Sequence, residues 1–165
     1  MTAIIYYYSR SGTTAKVAKL LAKKLGCEAE MLDDGVDRAG FIGLLKCGYH
    51  AIKKKEFKLK PLKHKPADYD LVLIGTPIWG GGMASPIHAF IKANKKKIKT
   101  AAFFSTAGDA KEQKGFTRME EELGKPPVAK MHLGKQDIKN GYSAKIKKFL
   151  KALDGAEGKK KEPGE

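Results

Sequence analysis

Apolar residues recur with two periods along this chain, and the alternation between them sets the expected elements. Ala3-Ile4-Ile5-Tyr6-Tyr7-Tyr8 is a β-branched and aromatic run that predicts a buried strand. Immediately afterwards Ala15, Val17, Ala18, Leu21, Ala22 and Leu25 fall at helical spacing, with Lys16, Lys19, Lys23 and Lys24 on the opposite face. This first helix should end near Gly26, and Glu28–Leu32 reads as a short second strand closed by Asp33-Asp34-Gly35. Apolar spacing predicts a helix over Ala39–Ile52, and Lys53–Pro66, basic and containing two prolines, reads as an exposed connection. Tyr69–Gly75 carries the strongest strand signal, a continuous apolar run of the kind found in a central parallel strand covered on both faces.

The second half repeats the alternation. Ser85-Pro86 predicts a helix start, with Ser85 as N-cap and Pro86 at the first helical position. Thr100–Ser105 is a fourth strand, and a helix follows from about Gln113 to Leu123, stopped by Gly124 and Pro126-Pro127. Val128–Leu133 is a fifth strand and Tyr142–Leu153 a closing amphipathic helix. Five strands alternating with helices predict an α/β fold, an open five-stranded parallel sheet with helices on both faces. Residues 1–153 form the expected domain, and 154–165, charged and almost without apolar residues, the expected disordered tail.

Composition narrows the function classes. The 165 residues suit one domain, and no apolar run is long enough to cross a bilayer. The N-terminus lacks a basic region ahead of its apolar segment, so no signal peptide is expected and the location expected is cytoplasmic. Cys27 and Cys47 lack metal-ligand or Cys-x-x-Cys spacing, which favours buried thiols over a disulfide, and the four histidines form no ligand pair. His88, on a helical pattern, reads as a packing or solvent-facing residue. The formal net charge is +15, yet of 33 basic residues only Arg10, Arg38 and Arg118 are arginine. Base and phosphate readers rely on the bidentate, stacking guanidinium, so a specific nucleic-acid site is not expected. Attraction to acidic partners or anionic substrates is.

The candidate chemistry lies in three loops that leave strand ends. Ser9-Arg10-Ser11-Gly12-Thr13-Thr14 is a strand-to-helix turn with four hydroxyls and a glycine. Its amides and the helix N-terminus can cradle an anion, although Ser and Thr are also ordinary cap residues, and this stretch alone leaves both readings open. Thr76-Pro77-Ile78-Trp79-Gly80-Gly81 and Ser105-Thr106-Ala107-Gly108-Asp109 are the other two. In open parallel sheets, ligands bind beyond the carboxyl ends of the strands at the switch in strand order, where these loops meet.

With these residues in view, the sequence resembles the flavodoxin family over residues 1 to about 153. The first loop is similar to that family's phosphate-binding turn, and the second and third to its two flavin-flanking loops. The resemblance implies strand order 2-1-3-4-5 and noncovalent FMN, with an electron-transfer role in which the flavin cycles between oxidised, semiquinone and hydroquinone states. It places the phosphate at Ser9–Thr14, where Arg10 either assists or points to solvent. It places Trp79 on one flavin face, the Gly80 and Gly81 backbone near flavin N5, and Ala107, Gly108 and Asp109 amides at the pyrimidine end. Structural alternatives are a core tryptophan at Trp79 and a simple tight turn at Gly80-Gly81.

Two departures bear on mechanism. Many flavodoxins cover the outer flavin face with a tyrosine from the third loop, where this chain has Asp109-Ala110-Lys111-Glu112. Electron-carrying flavodoxins are also usually acidic. A lysine-rich surround should favour the anionic reduced flavin, and an open face leaves room for a nicotinamide. The expectations are therefore an electron carrier serving a redox partner protein with an acidic surface, an NAD(P)H-dependent FMN or quinone reductase, or a flavin-free interaction module.

Overall fold

The computed structural model describes residues 1–36, 43, 45, 58–108 and 115–158, with the backbone alone at 157 and 158. The chain begins with β1 (Ala3–Tyr7), α1 (Thr13–Leu25) and β2 (Glu28–Met31). β1 pairs parallel with β2 on one side and with β3 (Leu71–Trp79) on the other. α1 starts after Gly12, whose φ of +85° lies in the left-handed region, and ends at Gly26 with φ +62°. At that end the amide of Cys27 donates to Ala22 O, the arrangement a glycine terminator favours. The helix expected over Ala39–Ile52 lies outside the described residues apart from Gly43 and Leu45, which are helical.

β3 is the central strand, with Leu71, Val72, Leu73 and Ile74 buried on both faces. It runs four residues past its expected end at Gly75, so Thr76–Trp79, expected as loop, are strand. Two observations explain the extension. Gly80 and Gly81, at φ +54° and +77°, form a two-residue turn that returns the chain as β4 (Gly82–Met83), antiparallel to β3. Pro77 falls beyond the end of β1, whose last partner on β3 is Gly75, so its missing N–H is not needed on that side. Gly75 is obligatory for a different reason: a Cβ there would enter the ring of Phe104.

α2 (Ser85–Asn94) follows, then β5 (Thr100–Thr106), α3 (Gly115–Leu123), β6 (Lys130–Leu133), α4 (Lys135–Lys139) and α5 (Ser143–Gly158). The N-cap of α2 is Ala84 rather than Ser85; Ser85 is the first helical residue, and its buried Oγ has no hydrogen-bond partner among the described residues. Pro86 stands second, where a missing N–H is still tolerated. α4 was not expected from the sequence. α5 runs five residues beyond 153, and residues 159–165 lie outside the described chain.

The sheet order is β2-β1-β3-β5-β6, with β4 paired to β3 off this path. The five parallel strands thus take the expected 2-1-3-4-5 order, with one short antiparallel strand added. Ile5, Tyr7, Leu73 and Phe104 face α1 and α5, which supply Val17, Leu21, Ile146 and Phe149. Tyr6, Val72, Ile74 and Phe103 face α2 and α3, which supply Ile87, Phe90, Phe116 and Met119. Burying each such side chain contributes about 1.5–3 kcal/mol, so each face of the sheet has a sufficient core of its own. Residues 58–65 are not simply an exposed connection. The buried Glu30 carboxylate accepts the amides of Lys63 and His64 at 2.7 and 3.1 Å, and Leu59 and Leu62 pack on the core.

Candidate functional site

Helix α1 points its N-terminus at the carboxyl ends of β1 and β3, and the turn before it is held by its own hydroxyls. Ser9 Oγ accepts the Ala15 amide at 3.2 Å, and the Lys16 amide donates to Gly12 O at 3.0 Å. The amides of Thr13 and Thr14 have no acceptor among the described residues, as expected for the first turn of a helix. Thr14 Oγ1 and Thr106 Oγ1, both buried, lie 2.8 Å apart and tie the first loop to the third. Ser11 and Thr13 bring their hydroxyls within 3.5 Å of each other at the surface.

These loops surround one cleft of about 580 Å³. Arg10, Ser11, Thr13 and Thr14 line it from the first loop, Pro77, Ile78 and Trp79 from the end of β3, and Thr106, Ala107 and Gly108 from the third. Trp79 also packs on the core, with its ring edge-to-face with Tyr8 at 5.6 Å and 85°. Other predicted site residues serve the frame and do not line the cleft. Thr76 Oγ1 donates to Pro77 O and accepts the Ala84 amide, each at 2.9 Å, holding the base of the hairpin. Ser105 Oγ is 2.8 Å from His132 Nδ1, and Ser9 and Gly12 shape the first turn. Gly80 and Gly81 form the hairpin tip, and Asp109 lies outside the described residues.

The sequence reading missed the fourth wall. Lys135, Ile138 and Lys139 of α4 also line the cleft. Asp137 anchors this short helix, accepting the Gly134 amide and the Lys145 ammonium, both at 2.8 Å. Lys145 and then Gly134 hold the Asp137 carboxyl below the usual carboxylate range, against an opposing effect of burial. Gly134, three residues before Asp137, was the available signal, since that spacing is typical of a helix start.

Elsewhere, His88 Nε2 pairs with Glu122 at 3.1 Å, joining α2 to α3. Among the described residues no cluster of His, Cys, Asp and Glu could hold a metal ion. No helix among them is long and apolar enough to cross a membrane.

The model of a family described as NADPH-dependent FMN reductase matches residues 3–123, which include all three loops. This chain belongs to the NADPH-dependent FMN reductase family. FMN, the cofactor expected from the sequence, is the flavin of that family, whose fold is flavodoxin-like. No curated protein gives a significant sequence match. Among solved structures, a flavoprotein from Lactobacillus acidophilus in complex with FMN is similar at 23% identity and TM-score 0.66, covering 84% of this chain and 97% of that one. An NADH:FMN oxidoreductase in its apo form follows at 15% identity and TM-score 0.57, covering 94% and 88%. A WrbA-like flavodoxin from Agrobacterium tumefaciens has 16% identity and TM-score 0.50, covering 76% and 74%. Identities this low establish the shared fold.

The residues present suit FMN. An NADPH-dependent FMN reductase needs an anion cradle at one end of its cleft and a flat apolar surface for the ring system. Here free amides at a helix N-terminus and two surface hydroxyls supply the first, and Trp79 with Ile78 the second.

Proposed function

We propose that the protein is an NAD(P)H-dependent FMN oxidoreductase, with the flavin held in the cleft among the three loops. Ser11, Thr13, the Thr13 and Thr14 amides and Arg10 take the phosphate; Trp79 and Ile78 pack on the ring; Ala107 and Gly108 border its polar end. Bound FMN supplies the chemistry, accepting two electrons from a reduced nicotinamide and returning them to an acceptor.

The finding that carries this reading is the match of residues 3–123 to the NADPH-dependent FMN reductase family. The sequence agrees with it: no residue from 107 to 114 is aromatic, so the third loop has no ring of its own to take the place of a nicotinamide on the flavin. The exposed ammonium groups of Lys135 and Lys139, which line the cleft, suit the phosphates of a dinucleotide. The free thiol of Cys27 fits the cytoplasm, where reduced nicotinamides are supplied.

The deciding experiment mixes FMN-loaded protein with NADPH without oxygen and follows the flavin's visible absorbance. Bleaching far faster than that of free FMN is expected. Bleaching no faster than free FMN would replace this reading with a flavodoxin-type carrier, which takes electrons from a protein. Failure to bind FMN would leave the flavin-free interaction module.

A further inference from the structure

Eight exposed lysines from the two ends of the sequence gather on one face of the sheet. α1 and α5 cover the same face of the sheet, and between them carry eight lysines against Asp154 and Glu157. Lys16, Lys19, Lys23 and Lys24 of α1 are all exposed, and so are Lys145, Lys147, Lys148 and Lys151 of α5. Only Lys145 makes an ion pair with a described residue, Asp137. The helices of the opposite face differ: α2 and α3 carry Lys92 and Arg118 against Glu120, Glu121 and Glu122, and exposed lysines of that side, Lys58, Lys63 and Lys65, sit on the segment that packs beside them. Two of those glutamates are further engaged, Glu120 by Lys130, and Glu122 by His88 and Lys95.

The basic face reaches the cleft. Lys16 stands one turn beyond Thr13, Lys145 holds Asp137 on the cleft wall, and Arg10, Lys135 and Lys139 ring the mouth. Between β6 and α5 the same face carries a groove of about 360 Å³, with Met131 and Phe149 in its lining beside Lys145 and Lys148. The edge of β6 does not invite an added strand, because Lys145 Nζ donates to His132 O at 3.1 Å.

We propose that the α1/α5 face and the adjoining cleft mouth dock an acidic redox protein that takes electrons from the flavin. The proposal rests on the oxidoreductase reading of the cleft. An acidic protein fits better than other polyanions for three reasons. The face has lysine without arginine and no exposed aromatic ring, so it lacks the means to read or stack bases. Among the described residues, α1 and α5 expose no large apolar side chain for insertion into lipid. Its continuity with the cleft mouth puts a compact partner beside the flavin, whereas a flat bilayer on the helices meets the cleft only at its edge. The electrons balance: NADPH becomes NADP⁺ with release of one proton and two electrons, and two ferric centres each take one.

The test uses rubredoxin, a small acidic one-electron iron protein, as probe and basic cytochrome c as control. Binding is measured by titration calorimetry with FMN-free and FMN-loaded protein, and electron delivery by stopped flow with NADPH. Rubredoxin should bind both forms, loosen steeply with added salt, and outcompete cytochrome c. Combining Lys19→Glu, Lys23→Glu, Lys147→Glu and Lys151→Glu should slow rubredoxin association about tenfold or more while NADPH-driven reduction of a small quinone is unchanged. If that variant does not fold, the pair Lys19→Glu and Lys147→Glu should show a smaller effect in the same direction, and Lys92→Glu on the other face almost none. Undiminished rubredoxin binding by the variants would overturn the proposal. So would tighter binding to phosphatidylserine vesicles or duplex DNA than to rubredoxin in physiological salt. Loss of quinone turnover with rubredoxin binding intact would instead count against the oxidoreductase reading.

Discussion

Trp79 owes its position to two glycines on neighbouring elements. Ile78 Cδ1 sits where a Cβ on Gly115 would be, and Arg118 Nη1 comes within 2.7 Å of the Cβ position of Gly82. α3 therefore grips both arms of the hairpin while Tyr8 meets the indole edge. A ring held this way loses little freedom on stacking, so its contribution to binding should be close to the full stacking energy. Replacing Trp79 with Ala should weaken FMN binding by about 1–3 kcal/mol, or roughly 5- to 150-fold in Kd. Trp79→Phe should recover most of it. Quenching of FMN fluorescence on titration measures both, and unchanged affinity in Trp79→Ala would remove the indole from the site. That Trp79 borders a strand-end cleft was legible from its Pro and Gly neighbours. Its place on a strand was not, because Thr76-Pro77 reads locally as a break and only the antiparallel return through Gly82–Met83 keeps the chain extended.

At the scale of elements, α4 shows where sequence patterning ran out. Five residues offer too few positions for a 3.6-residue period to appear, and none of the five is buried. The helix is held instead by Asp137, through contacts to Gly134, to Lys145 and, from its carbonyl, to the Tyr142 amide at 2.8 Å. The folded-state pKa of Asp137 is lowered, so the stability it contributes is fully present above the unfolded value of about 3.9 and is lost as pH falls through the folded value. Asp137→Asn should cost about 1 kcal/mol near neutrality, because the side chain is partly exposed and the Gly134 contact can survive. The gap in Tm between the two proteins should narrow as pH is taken below about 4. A gap that stays constant down to pH 2 would show that the carboxylate charge is not what secures α4. The strongly patterned segments behaved otherwise: α1 was predicted where it occurs, and β3 over its apolar stretch Leu71–Gly75, since each is buried there in a pattern with no second solution.

For the whole molecule, strand alternation predicted an open parallel sheet, and the resemblance to the flavodoxin family supplied the order observed as β2-β1-β3-β5-β6. A chain that steps from β1 outward to β2 and then back across to β3 opens a switch point between β1 and β3, and the first two loops meet there. The gathering of eight lysines on one face could not be read the same way, because α1 and α5 come from opposite ends of the chain and only folding sets them on the same side of the sheet. Positive charge reaches the cleft through Lys135 and Lys139, which are exposed and line it. Reduced FMN is an anion at neutral pH, so these two charges stabilise the reduced form more than the oxidised form. Exposed charges at such a distance contribute roughly 0.3–0.7 kcal/mol each. Converting both lysines to Glu reverses the sign at two positions, for a total of about 1.2–2.8 kcal/mol, or about 25–60 mV for a two-electron couple. Lys135→Glu combined with Lys139→Glu should therefore lower the two-electron midpoint of bound FMN by about that amount in dilute buffer. The shift should shrink as salt screens the pair. Spectroelectrochemical titration at two ionic strengths measures it, and a midpoint that is unchanged or higher in the variant would mean that the rim lysines do not act on the flavin.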